Sequence, residues 1–131
     1  MNTKLNRILA EVSAGELIDK ITILEIKKEK ISDEAKLIEI NKELKSLEKT
    51  FHKEISDKSI IDEFIFELKK INSELWDIEE GKRLAEKNKK FDDSFIQLSR
   101  KVFKENDKRA KVKLKINEVL GSNIKEVKSH Y

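Results

Sequence analysis

Apolar residues recur along this chain at intervals of three and four, the spacing of one face of an α-helix. Leu37, Ile40, Leu44, Leu47, Phe51 and Ile55 form one clean stripe, which predicts a helix capped by Ser32-Asp33. Before it, Leu17, Ile21, Leu24 and Ile31 share a stripe while Ile18, Ile23 and Ile26 lie on other faces. A helix that is apolar nearly all round is a central one, expected here from about Ala14 to Ile31. Its start, Ser13-Ala14-Gly15-Glu16, reads as a capping box: the Ser13 hydroxyl takes an unpaired amide and Glu16 reaches back. After a loop at Ser56–Ser59, residues Ile60, Phe64, Leu68, Ile71, Leu75, Ile78 and Ala85 step like a coiled-coil seam, which predicts a helix over 59–88 interrupted by Gly81. Asp92 or Asp93 caps a fourth helix over 93–120, and Gly121 stops it.

Connections this short favour antiparallel neighbours. The expected fold is all-α: an antiparallel bundle of about four helices, two of them long, in a single domain over 1–131. Residues 1–12 form a leading segment and 122–131 a polar C-terminal tail. The two long helices outrun the other two, so part of their seam is left uncovered, which favours a homodimer.

Composition narrows the chemistry. The 131 residues contain no Pro, three Gly and no Cys, against a turn-rich β fold, a disulfide framework, thiolate zinc sites and a cysteine nucleophile. No apolar run is long enough to span a membrane, and Met1 to Ala10 lacks a secretory core, so a cytoplasmic protein is the expectation. Charged residues make up 42% of the chain, yet the net charge is only +3. Lys outnumbers Arg 25 to four, a residue usage seen in AT-rich genomes, so lysine density argues little for nucleic acid. Helix 4 carries a basic stripe of Arg100, Lys104, Lys108, Lys111 and Lys115, but it lies opposite the apolar one, where a solvated face belongs.

Catalytic signatures are absent: no glycine-rich phosphate loop, no His-Glu-x-x-His, no serine elbow. His52 and His130 read as surface residues. The carboxylate pairs Glu16/Asp19, Glu74/Asp77 and Asp77/Glu80 share helical faces, but 26 acids in one chain produce such pairs by chance. No metal and no cofactor are expected.

The residues out of place are charges on apolar arcs. Glu105, Arg109 and Lys113 fall among Val102, Val112 and Ile116, with Arg109 nearly central. On helix 1, Lys28 falls among Leu17, Ile21 and Leu24, with Glu25 beside it. Inward charges are normally paired, because a buried, uncompensated one costs about 3–5 kcal/mol. Arg109 is therefore expected to pair with a carboxylate of helix 1 or with Glu105. Trp76, the only tryptophan, sits beside the helix 3 seam on the flank of Ile65, Asn72 and Glu79, a half-buried anchor or a stacking platform.

Several segments carry a resemblance: Val12 to Leu24, Leu75-Trp76-Asp77-Ile78-Glu79-Glu80, Phe95 to Arg100, Asn106-Asp107-Lys108-Arg109-Ala110, Ile116-Asn117 with Leu120-Gly121-Ser122, and Glu126-Val127-Lys128-Ser129. Together they are similar to an uncharacterised bacterial family of short helical proteins, a domain of unknown function. The sequence departs from the family at Phe103, in place of Tyr, and at the ending His130-Tyr131. The resemblance implies a single intracellular domain and no activity. Its blocks draw attention to Glu16, Asp19, Lys20, Asp107 and Arg109, which with Trp76 are the candidate ligand-binding residues.

Two functional readings follow. One is a helical interaction module without catalysis, self-associating as a homodimer or meeting a protein partner, away from membranes and nucleic acid. The other is a small-molecule site for a phosphate or sugar-phosphate, built from the charged residues of helices 1 and 4.

Overall fold

The computed structural model describes residues 4–128. His130 and Tyr131, and with them the expected end of the polar tail, lie outside the described residues, as do Met1 to Thr3 of the leading segment. Four α-helices follow one another: α1 Ala14–Lys30, α2 Glu34–Glu54, α3 Asp62–Lys87 and α4 Asp93–Leu120. No strand occurs among the described residues. The predicted helices are all present, and the sequence misplaces one start. Residues 59–61 form a single 3₁₀ turn that seats Ile61 in the core, and α3 begins one residue later. Gly81 stays helical within α3, with Leu98 of α4 lying over it.

Each cap has a sequence reason. The Ser13 hydroxyl accepts from the Glu16 amide, Asp33 from Ala35 and Lys36, and Asp92 from Phe95. Gly121 closes α4 at φ 64°, a left-handed turn that glycine adopts without strain.

The helices run up, down, up, down. α1 packs against each of the other three, as its all-round apolarity predicts, whereas α2 packs on α1 alone. The main core joins Ile18, Leu68, Ile71, Val112 and Ile116, with Ile55 and Ile61 closing its base. A smaller cluster of Leu24, Ile40 and Leu44 glues α2 to the outer side of α1. α3 and α4 interdigitate along most of their length and extend past the end of α1. The tip of this hairpin leaves Leu84, Phe91 and Ile96 more than half exposed. No helix among the described residues is long and apolar enough to cross a membrane.

One expectation fails. Lys28 is exposed, not inward. It lies in the last turn of α1, where a cation suits the helix C-terminus. Residues 122–126 fold back onto the start of α1: the Asn123 side chain donates to Glu11 at 2.7 Å, and Ser13 Oγ donates to Glu126 at 2.7 Å.

Candidate functional site

The polar residues of α1 face the longest helix. Antiparallel packing sets Gly15 against Lys113 and Asn117, and Asp19 one turn further against Arg109. The Asp19 side chain is 1% exposed, because helices cover α1 on three sides and leave it no route to water. A carboxylate there must be paired. Its Oδ1 accepts from Arg109 Nε and from Asn72 Nδ2, both at 2.9 Å, and its Oδ2 accepts from Arg109 Nη2. The two-pronged geometry is the one in which a planar guanidinium matches a carboxylate. Asn72 also donates to Thr22 Oγ1 at 2.9 Å, whose hydroxyl donates to the Asp19 carbonyl at 2.7 Å. The Arg109 pKa is raised above its ordinary value, first by the hydrogen bonds to Asp19 and against the opposing pull of burial.

A second layer sits one turn nearer the start of α1. Lys113 Nζ lies 2.6 Å from Glu16 and 3.6 Å from Glu126. The expected capping box is therefore half made: Ser13 caps, but the Glu16 carboxylate turns to Lys113 on the facing helix rather than back to Ser13. The amides of Ala14 and Gly15 are taken by Ser122 Oγ at 3.0 Å and Asn117 Oδ1 at 2.7 Å. With Ser13 on Glu16, three free amides of this helix start are held by side chains, so the anion-attracting end of α1 is already filled.

The structure thus divides the candidate residues. Asp19 and Arg109 meet in one buried pair, the helix 1 partner expected for Arg109, and Glu16 joins the adjoining layer. Lys20 does not belong: it is exposed and reaches Glu43 of α2 at 3.4 Å. Asp107 points to the C-terminal segment, 3.5 Å from Lys128. Glu105 pairs with Lys108 on its own helix at 2.9 Å and leaves Arg109 alone. Trp76 is half-buried and lines a cavity of about 470 Å³ between α1 and α3, with Arg109 at one end. Glu74, Asp77 and Glu80 are exposed, and no three metal-binding side chains gather among the described residues. His52 is exposed, as expected, beside Lys58.

Sequence reasoning missed Asn72, Thr22, Asn117 and Ser122. Two signals for them existed: Asn72 shares the flank of Trp76, and Asn117 follows Ile116 on the inward arc of α4.

The five cations of the basic stripe are all exposed. Random duplex DNA is expected not to bind at low salt; five phosphate contacts would instead give a log K against log salt slope of about −4.5.

No curated protein and no solved structure shows a significant match to this chain. A family model does, over residues 8–131, and its description gives no activity. It matches both helices that supply the Asp19–Arg109 pair and the segment that caps α1, and on that match the chain belongs to the family of unknown function DUF6165.

Proposed function

We propose that this chain is a helical interaction module that acts by self-association and not by catalysis. The charged cluster supports this reading because its members are spent on one another: Asp19 on Arg109, Glu16 on Lys113. Such a cluster fixes the register of α1 against α4.

One observation carries the reading. Ile96, Phe103 and Ala110 recur at seven-residue intervals on a flank of α4 turned away from its core arc, and Leu114 continues the line. Ile96 and Phe103 are each more than half exposed. Phe103, Ala110 and Leu114 floor a groove of about 470 Å³ whose far wall is the C-terminal segment. Apolar residues at seven-residue spacing left open on a long helix offer a stripe that a second copy can cover, and a two-fold axis across it sets the stripe against its own copy. The reading of the sequence assigns this role to the cytoplasm.

Light scattering tests it. The expected mass is about 31 kDa, twice the 15.4 kDa chain. Phe103→Glu should return the protein to a monomer with its helix content unchanged. A monomer mass for the parent at every concentration would overturn the proposal.

A further inference from the structure

The cavity between α1 and α3 is built unlike the rest of the surface. Ile23 and Ile26 of α1 face Leu75 and the Trp76 ring of α3 across it, so the walls are apolar, and the volume of about 470 Å³ suits a small organic molecule. Polar groups are few and mostly donors. Asp19 and Asn106 take three of the five guanidinium hydrogens of Arg109. The bidentate grip of Asp19 also fixes the plane of the group, so its outer edge is aimed in advance. Lys27 and Arg83 stand at the mouth, neither with a carboxylate partner among the described residues. Glu79 and Glu80 share that rim, and Glu79 is engaged 3.9 Å from Lys82.

Trp76 adds an independent sign. Its indole Nε1 is the one buried side-chain nitrogen or oxygen without a hydrogen bond among the described residues. A buried donor left unmade is a standing cost, and the large majority of such groups in folded proteins find a partner. Asn72, which gives both amide hydrogens to Asp19 and Thr22, has none to spare for the cavity. The unspent groups here are mostly donors and cations, with the exposed Glu80 carboxylate and the Asn72 amide oxygen the unpaired acceptors, so an acceptor is what the donors lack.

We propose that this cavity binds a small organic acid with a flat apolar body. The body lies on the indole between the two isoleucines, and the acid group meets the outer edge of Arg109, with Lys27 and Arg83 drawing it in. A modest turn of the indole brings its N–H to the same group. Arg109 also borders the groove on α4, but Trp76, Lys27 and Arg83 lie outside it, so the site does not rest on self-association.

The chain has a single tryptophan, so its indole N–H gives one resonance in a ¹⁵N-correlated spectrum and reports on the cavity directly. Titration with 2-naphthoate should move that resonance, and the Arg109 Nε–H resonance with it, along a saturable curve. The neutral 2-naphthamide should bind about tenfold more weakly, since it forgoes a charge-assisted hydrogen bond. Inorganic phosphate, lacking the flat body, should leave the indole unmoved. Arg83→Gln, at an exposed position with no ion pair to strand, should weaken naphthoate about threefold or more while the spectrum otherwise matches the parent. Absence of a saturable indole shift with 2-naphthoate would overturn the site. Equal binding of acid and amide, or an unchanged affinity in Arg83→Gln, would overturn the acid.

Discussion

Arg109→Met is expected to cost about 3–5 kcal/mol of folding stability, a large share of what a domain this size has. The methionine keeps much of the stem, so little packing is lost. What is lost is the partner of a carboxylate that is 1% exposed. Asn72 still gives Asp19 one hydrogen bond at 2.9 Å, but a neutral amide does not balance a buried charge. Chemical denaturation should show the midpoint falling with an unchanged slope. A control separates the stranded charge from simple loss of a contact. Asp19→Leu combined with Arg109→Met removes both charges and should recover about 2 kcal/mol or more of the loss, because an apolar pair of similar volume often matches a buried ion pair. A single variant as stable as the parent would show Arg109 free of structural duty.

Gly15→Ala is expected to destabilise by about 2–4 kcal/mol, although alanine gains about 1 kcal/mol as the better helix former. A Cβ at this position would sit 2.5 Å from the Lys113 carbonyl oxygen and 3.0 Å from Asn117 Oδ1. The first of these atoms is backbone and cannot rotate aside, so α1 and α4 must part. Parting them also stretches the hydrogen bond from the Gly15 amide to Asn117. Gly81→Ala provides the contrast. Its nearest neighbour is a leucine methyl at 3.2 Å, the flexible end of a side chain, so that variant should stay within about 1 kcal/mol of the parent. Thermal melts of the two would rank them directly, and equal melting temperatures would contradict the close approach at Gly15.

The reasons for these two effects were unequally legible in the sequence. Arg109 announced itself because a charge on a periodic apolar arc breaks a strong pattern, and pairing with helix 1 followed from the cost of leaving it alone. The same arithmetic failed for Lys28, which the helical wheel puts on the apolar arc but which is exposed in the last turn of α1. Neutral polar residues leave no mark of this kind. Asn72 and Asn117 are as buried as the core isoleucines, yet an asparagine is as common on a surface, and nothing local tells the two apart. The capping of α1 by Ser122 and Asn117 was invisible for a different reason: both lie more than a hundred residues away in the chain. The Trp76 flank was legible as a place but not as a cavity, whose volume depends on how α1 and α3 diverge.

That distance has a consequence for the order in which the protein is made. Synthesis delivers α1 well before Asn117, Ser122 and Glu126, which hold its start from more than a hundred residues further along. Until those residues emerge, α1 can lean on α2 through Leu24, Ile40 and Leu44, but its first turn has only Ser13 to close it. The buried carboxylate of Asp19 likewise waits for Arg109. A chain cut short before residue 117 would carry every residue of its most apolar helix and still be unable to finish it. Native structure in this protein is therefore completed only when residues 117–126 return to the start of α1.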